Sequence, residues 1–309
     1  MRRFALLSLA VLVAGCGGDR AGSSDTGGTD SGLSGRILID GSSTVAPYAT
    51  AAAEGFRRDN PGVQVTVGVS GTGGGFERFC RGETDISDAS RPIEDDEAAA
   101  CKEKGIEDVQ IQVANDALTV VVSPENDWAD CLTVAQLKAI WDRGSKVKSW
   151  KDVDPSFPDV ELKLYGPGTD SGTFDYFTNE INGEEGQSRS DYAASEDDNV
   201  IVQGVSGDDG ALGYFGLSYY EQNKDKLKAV AIDGGDGCVE PSTDTAQSGT
   251  YVPLSRPLFM YANAEALTRP EVKAFLQYVL DNEREIAQQA QFVPLTDEQL
   301  QQAKDALGS

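Results

Sequence analysis

Apolar and polar residues alternate along the chain in blocks that predict strands followed by helices. Segments 36–43 and 63–71 alternate with the two-residue period of a strand, and 44–60 and 73–83 after them have helical spacing. The same order recurs through the C-terminal half. Such alternation is typical of an α/β fold, in which helices cover sheets with mostly parallel strand pairing.

Two longer apolar runs, 111–124 and 251–263, predict strands that connect two lobes. The chain would leave the first lobe by one strand and return by the other. Lobe 1 would then comprise 35–115 and 254–309, and lobe 2 would comprise 116–253. A cleft between two lobes joined in this way favours a ligand-binding protein that closes about a hinge.

The N-terminus predicts export and a lipid anchor. Arg2 and Arg3 precede an apolar run, Phe4 to Ala14, which is typical of a secretory signal and too short to span a membrane. The signal comprises 1–16, and its last residues, LVAGC, resemble the lipobox of bacterial lipoproteins. The cysteine of a lipobox carries the lipid, and here it would be Cys16. An ordinary signal with an accidental cysteine is the alternative. Residues 17–34 are almost without apolar side chains and predict a flexible tether. We therefore expect a lipid-anchored protein on the periplasmic or cell-surface side of a membrane.

Charge and composition narrow the classes of partner and chemistry. The full chain has a net charge of −25, and without the two signal arginines the mature chain has −27. Such a surface disfavours nucleic acid and anionic lipid. The chain has no histidine, which argues against Ser-His hydrolases and most zinc sites. We expect no metal and no cofactor.

The cysteines predict disulfides. With Cys16 assigned to lipid, four remain, and an even number in an exported chain favours two bridges with three possible pairings. We prefer Cys80–Cys101 and Cys131–Cys238. Free buried thiols are the alternative, and metal binding is poorly supported because the cysteines lack CxxC spacing.

Four turns rich in small polar residues follow predicted strands and begin predicted helices. Any one of them is explained by helix capping alone, but four at the carboxyl ends of strands favour a shared anion site. Arg91 would supply the positive charge, with a surface ion pair as the alternative. The candidate ligands are Ser43 and Thr44 in DGSSTV, Thr72 in SGTGGGF, Ser90 and Arg91 in DASRP, and Ser171, Gly172 and Thr173 in DSGTF.

These motifs, in this order, resemble the phosphate-binding proteins of ABC-type phosphate transporters, in the branch that carries GTDSGTFDYF. The resemblance extends to 195–207, 211–220 and 252–261. It implies a two-lobed type II periplasmic-binding-protein fold, with two mixed sheets flanked by helices and a hinged cleft. It also implies inorganic phosphate held by the candidate ligands, a membrane permease as partner, a monomer, and no catalysis.

The chain departs from the family at two positions, one that can hold a carboxylate and one that can hold an arginine. Some members have a carboxylate where this chain has Ser90, and others have an arginine where it has Pro167. Arg91 could replace that arginine, and Asp88 or Asp170 could accept the proton of monohydrogen phosphate, which sulfate lacks. Three alternatives stay open: another oxyanion such as sulfate, molybdate or arsenate; a phosphate sensor; and, last, a phosphoester hydrolase using Ser171 or Ser43.

Overall fold

Strands and helices alternate through the first third of the chain, as the pattern predicts. The computed structural model describes residues 32–169, 171–195 and 197–308. The predicted signal, Cys16 and Asp170 therefore lie outside the described residues. The first elements are β1 (Ser34–Gly41), α1 (Ala46–Asp59), β2 (Gly62–Val67), α2 (Gly71–Cys80), β3 (Ile86–Ala89) and α3 (Asp95–Glu103).

The middle of the chain begins with the longest strand, β4 (Asp108–Val122), in the first of the two runs predicted to connect lobes. A π-helical turn, Thr178–Asn182, extends α6. The other elements of this part are β5 (Cys131–Thr133), α4 (Val134–Trp141), α5 (Trp150–Val153), β6 (Lys163–Gly166), α6 (Gly172–Phe177), β7 (Ala193–Ala194), α7 (Asp198–Ser206), β8 (Ala211–Gly216), α8 (Leu217–Asn223), β9 (Lys228–Ala229), β10 (Ala231–Asp233), β11 (Cys238–Val239) and α9 (Thr243–Gln247).

The C-terminal part returns through β12 (Ser255–Asn263), the second predicted connecting strand, and ends in helices. These are α10 (Pro270–Asp281), α11 (Glu283–Gln289) and α12 (Asp297–Leu307), after a 3₁₀ turn at Ala266–Thr268. Within the described ranges, no helix combines the length and apolar character needed to cross a bilayer.

The main sheet has the strand order β2-β1-β3-β12-β4-β8-β6-β7, and β9 also pairs with β4. Residues 108–117 of β4 pair with β12, whereas 118–122 pair with β8. We call the part up to residue 117 sheet region 1 and the part beyond it sheet region 2. Pairing is parallel among β1, β2 and β3 and among β6, β7 and β8.

The two connecting strands change the expected strand directions. Both β4 and β12 run antiparallel to their neighbours in the main sheet, because one carries the chain out of region 1 and the other brings it back. The sheet is therefore mixed rather than mostly parallel. A second, three-stranded sheet has the order β11-β10-β5.

Each sheet region has its own apolar core. In region 1, Tyr48 and Phe56 of α1 pack with Phe275 of α10 in the core that also contains β1. In region 2, Leu137, Ile140 and Trp141 of α4 are fully buried and form one apolar face of the helix. Helical spacing of apolar residues predicts such a face because residues three and four apart lie on one side.

The structure confirms the preferred disulfide pairing. Cys80–Cys101 joins the C-terminal end of α2 to α3, and Cys131–Cys238 joins β5 to β11 across a separation of 107 residues. The first bridge therefore links neighbouring helices, and the second holds the small sheet together.

Glu283, at the start of α11, should make stability depend on pH. Its side chain accepts a 2.7 Å hydrogen bond from the backbone N–H of Leu295, and the residue is only 2% exposed. Burial raises its pKa from 4.5 to about 7. The folded protein thus keeps a proton that the unfolded chain releases, so stability falls as the pH rises from about 4.5 through about 7.

We expect Glu283→Gln to be more stable than the parent by roughly 2 kcal/mol at pH 8 and nearly equal at pH 4. Glutamine keeps an acceptor for Leu295 but cannot ionise. Urea unfolding at both pH values measures the difference, with Glu285→Gln, an exposed site on the same helix, as the control. An equal gain at both pH values would contradict the titration of Glu283.

Candidate functional site

Three of the four predicted polar turns border one cavity of about 330 Å³. Ser43 and Thr44 lie just before α1, and Thr72 lies in the first turn of α2. Ser90 and Arg91 follow β3. All five residues line the cavity, because β1 and β3 are parallel neighbours whose carboxyl ends meet at one edge. The sequence prediction that these turns converge is therefore met for this set.

Hydrogen bonds hold the region 1 side of the cavity in place. The hydroxyl oxygens of Thr72 and Ser90 are 3.1 Å apart, and the Ser90 N–H donates to Thr72 Oγ1 at 3.3 Å. The Ser70 hydroxyl donates to Asp40 at 2.8 Å, and Asp40 also forms an ion pair with Arg78. Asp40 is 3% exposed, so the loop before α2 is attached to a buried anchor.

The fourth turn approaches the same place from region 2. Its residues Ser171, Gly172 and Thr173 line an adjoining cavity of about 220 Å³ that shares Ser43 and Thr44 with the first. A Cβ at Gly172 would lie 3.4 Å from Thr44 Cα, so the two segments are already close. Ser171 Oγ accepts from Thr173 N at 3.2 Å, which makes it the N-cap of α6. All four turns thus meet around Thr44.

Arg91 lines the cavity but is engaged with carboxylates. Its two terminal nitrogens each lie 2.8 Å from a Glu97 oxygen, and its Nε lies 3.2 Å from Glu94. The side chain is 35% exposed. The ion pair named as the alternative role for Arg91 is therefore present, with Glu94 and Glu97 as its partners.

Arg256 on β12 is a second cation at the cavity and was not among the predicted ligands. Its Nη2 donates to Thr44 Oγ1 at 2.8 Å, and its Nε lies 3.3 Å from Asp116. The guanidinium carbon is 3.5 Å from the ring centre of Tyr176, at cation–π distance. The side chain is only 17% exposed. Arg256 therefore contacts β4, the start of α1 and α6 at once.

No local motif marks Arg256, although it lies inside 252–261, one of the segments to which the family resemblance extends. It follows no strand–turn–helix junction and is 212 residues from Thr44. The strand register pairs it with Asp116 of β4, another residue without a local motif. The one sequence signal is a positively charged residue within the predicted connecting strand 251–263.

The carboxylates near the cavity differ in burial. Asp88, one of two proposed proton acceptors, is fully buried and is absent from both cavity walls. Burial, and then the nearby Asp40, raise its pKa well above the usual value, so the folded state favours its protonated form. Asp175 does line the cavity, and its pKa is raised by burial and by Glu185 while Arg256 opposes the shift. Among the described residues, no histidine, cysteine or acidic cluster is arranged to hold a metal.

Sequence comparisons give this chain close relatives. Residues 22–283 match the family described as PBP superfamily domain. The chain is 49% identical to Protein SphX of Synechococcus elongatus over 262 residues, covering 84% of this chain and 77% of that protein. It is 42% identical to Phosphate-binding protein PstS of Staphylococcus saprophyticus over 291 residues, covering 94% of this chain and 88% of the relative.

Solved structures share the fold. A possible phosphate binding protein from Planctomyces limnophilus has 48% sequence identity and a TM-score of 0.87, with 89% of this chain and 98% of that chain covered. A putative phosphate ABC transporter substrate-binding protein from Clostridium perfringens, solved with bound phosphate, has 25% identity and a TM-score of 0.55, with 85% and 100% covered. The mixed α/β architecture is that of the type II periplasmic-binding fold. This chain therefore belongs to the PBP superfamily domain family.

Proposed function

We propose that this protein captures inorganic phosphate and delivers it to the membrane permease of an ABC transporter. The observation that carries the proposal is Arg256, a mostly buried guanidinium bonded to Thr44 where four polar turns meet. Buried cations beside hydroxyl groups suit a small oxyanion. The relatives named PstS and the phosphate-bound relative from Clostridium perfringens support phosphate as that anion.

Capture depends on short-range contacts, because a protein with a net charge of −25 repels anions at long range. In our proposal, hydroxyl groups from both sides of the cavity donate to the phosphate oxygens. The dipole of α1, a helix of 14 residues that begins two residues after Thr44, adds a favourable field. Arg256 supplies charge, and Arg91 lies at the edge. The hydroxyl and backbone donors come from Ser43, Thr44, Thr72, Ser90, Ser171, Gly172 and Thr173.

Two lobes would close on the anion. We retain the division into 35–115 with 254–309 and 116–253, with β4 and β12 as the connections. The change of β4 pairing partner between Ala117 and Leu118 supports a hinge at this point. Contacts from both lobes favour the closed form only when the anion is present, so binding shifts the population towards closure.

A lipid on Cys16 would keep the monomeric receptor at the membrane surface, with 17–34 as the tether. This part of the proposal rests on the LVAGC motif. Mass spectrometry of the mature N-terminus tests it, since an unmodified residue 16 would exclude the anchor. A sensor that reports phosphate instead of importing it is the alternative role, and deletion in a phosphate-uptake assay separates the two.

We assign selectivity for phosphate over sulfate to Asp175, which lines the cavity together with Glu180 and Glu185. Monohydrogen phosphate can donate its proton to a carboxylate, whereas sulfate presents only lone pairs. An unsatisfied contact of this kind in a buried site costs about 1–3 kcal/mol, or roughly ten- to a hundredfold in affinity. Asp175 is proposed for the role that the sequence suggested for Asp88 or Asp170, and Asp170, outside the described residues, stays a candidate.

Calorimetry at neutral pH tests the proposal. We expect tight binding of phosphate and at least tenfold weaker binding of sulfate, with Asp175→Asn reducing that ratio. Arsenate and molybdate complete the competition series. Equal affinity for phosphate and sulfate would contradict the phosphate assignment and leave the fold unaffected. An unchanged ratio in Asp175→Asn would reject Asp175 as the proton acceptor.

A further inference from the structure

Arg91 has little capacity left for a ligand. A guanidinium has five N–H groups. Nη1 donates to Glu97 at 2.8 Å and to the Pro92 carbonyl at 3.1 Å, while Nη2 donates to the other Glu97 oxygen at 2.8 Å. Nε faces Glu94 at 3.2 Å. Two N–H groups, the one on Nε and one on Nη2, make no hydrogen bond in this set of contacts.

Glu97 is well placed to hold Arg91. Its carboxylate is 17% exposed and binds the guanidinium with both oxygens, the strongest geometry for this pair of groups. One of those oxygens also accepts from the Glu94 N–H at 2.9 Å, in the capping box that begins α3. The carboxylate is therefore fixed by its helix and does not move freely with Arg91.

We propose that Glu97 competes with phosphate for Arg91 and thereby limits the affinity of the site. The inference rests on the proposed function. An anion in the cavity must either accept from the N–H groups that Glu97 leaves free or displace Glu97 from the others. Because a two-point ion pair must be broken for full engagement, Arg91 contributes less binding energy than an unpaired arginine would. Glu97 is a positioning residue in this scheme and does not touch phosphate.

The ion pair between Arg91 and Glu97 would also help the protein to release phosphate. A receptor that delivers a ligand needs an affinity that is high but not maximal, since the ligand must leave when the lobes open. An internal carboxylate that recaptures Arg91 provides such a limit. The same guanidinium lies 5.8 Å from the Phe76 ring centre, so its resting position is supported on two sides.

Two variants of Glu97 separate contact from charge. Glu97→Gln removes the charge and retains an acceptor for the helix cap. Glu97→Asp retains the charge but is one carbon too short to hold both terminal nitrogens. We expect about tenfold tighter phosphate binding in Glu97→Gln and a smaller gain in the same direction in Glu97→Asp, by calorimetry on the purified protein. Asp96 is an exposed carboxylate on the same helical turn, so Asp96→Asn controls for the effect of removing one negative charge near the cavity.

The decisive measurement repeats Glu97→Gln in an Arg91→Gln background. The gain in affinity should vanish there, because the guanidinium that Glu97 holds is absent. An equal gain in both backgrounds, an equal gain in Asp96→Asn, or weaker binding in Glu97→Gln would each overturn the proposal. Thermal unfolding verifies that each variant is folded. If Glu97→Gln is unstable, the change in phosphate affinity of Glu97→Asp alone decides whether the proposal holds. A parent protein that binds no phosphate would instead reject the proposed function.

Discussion

Arg256→Met is expected to weaken phosphate binding at least thirtyfold. The side chain is 17% exposed and its guanidinium bonds Thr44 Oγ1 at 2.8 Å, so its charge acts in a poorly solvated place. Removing one partner of a buried, hydrogen-bonded charge contact typically costs about 2–5 kcal/mol, and 1.4 kcal/mol corresponds to tenfold in affinity. Methionine is similar in length and keeps apolar contact with Tyr176. Calorimetric titration with phosphate measures the change.

Controls must separate binding from folding, because Arg256→Met leaves Asp116 buried without its cation. The double variant Asp116→Asn/Arg256→Met removes that unpaired acid and should bind as weakly as the single variant. Arg256→Lys keeps the charge but loses the planar fork, and we expect an intermediate loss.

We expect Arg91→Ala to weaken phosphate binding more than the deletion of any single hydroxyl group, because a charge-assisted hydrogen bond is roughly twice as strong as a neutral one. We now expect Arg256→Met to exceed Arg91→Ala, since Glu97 already occupies the Arg91 terminal nitrogens. Near-parental binding by Arg256→Met, together with a large loss in Arg91→Ala, would make Arg91 the principal cation.

Removing the Cys131–Cys238 bridge by a double alanine substitution should lower the free energy of unfolding by about 3–4 kcal/mol. The bridge closes a loop of 107 residues in the unfolded chain, and loop closure of that length removes a large conformational entropy. Denaturant unfolding without phosphate measures the change, because bound ligand would add its own stabilisation.

The matched control is the Cys80–Cys101 bridge, which spans a sequence separation of 21 residues. The chain-entropy argument predicts a smaller loss for this pair, by about 1.4 kcal/mol. A larger loss from the shorter loop would show that contacts in the folded state, and not loop entropy, dominate the contribution of the bridges.

Much of the fold could be predicted from local pattern. The face of α4 that buries Trp141 and the long strands β4 and β12 all follow from the spacing of apolar residues. The four polar turns were found because a strand end followed by Gly, Ser or Thr is a local signature. The disulfide pairing was a preference among three and needed the structure to decide it.

The partners of the two arginines show the limit of that approach. Glu97 is six residues after Arg91, in an acidic first turn typical of a helix start, so the pair lay within local range. The Arg256–Asp116 contact lies outside local range, because 140 residues separate the two side chains in sequence. The antiparallel register of β4 and β12 sets it, and a shift of one residue would reverse the side of the sheet that each side chain faces.

By itself, the amino-acid order of this protein determined which segments form strands and helices and which turns present hydroxyl groups, because those preferences act over a few neighbouring residues. Only the tertiary structure decided which cation stands beside Thr44 and which carboxylates line the cavity. Those identities depend on strand register and on burial, and both are properties of the packed chain as a whole.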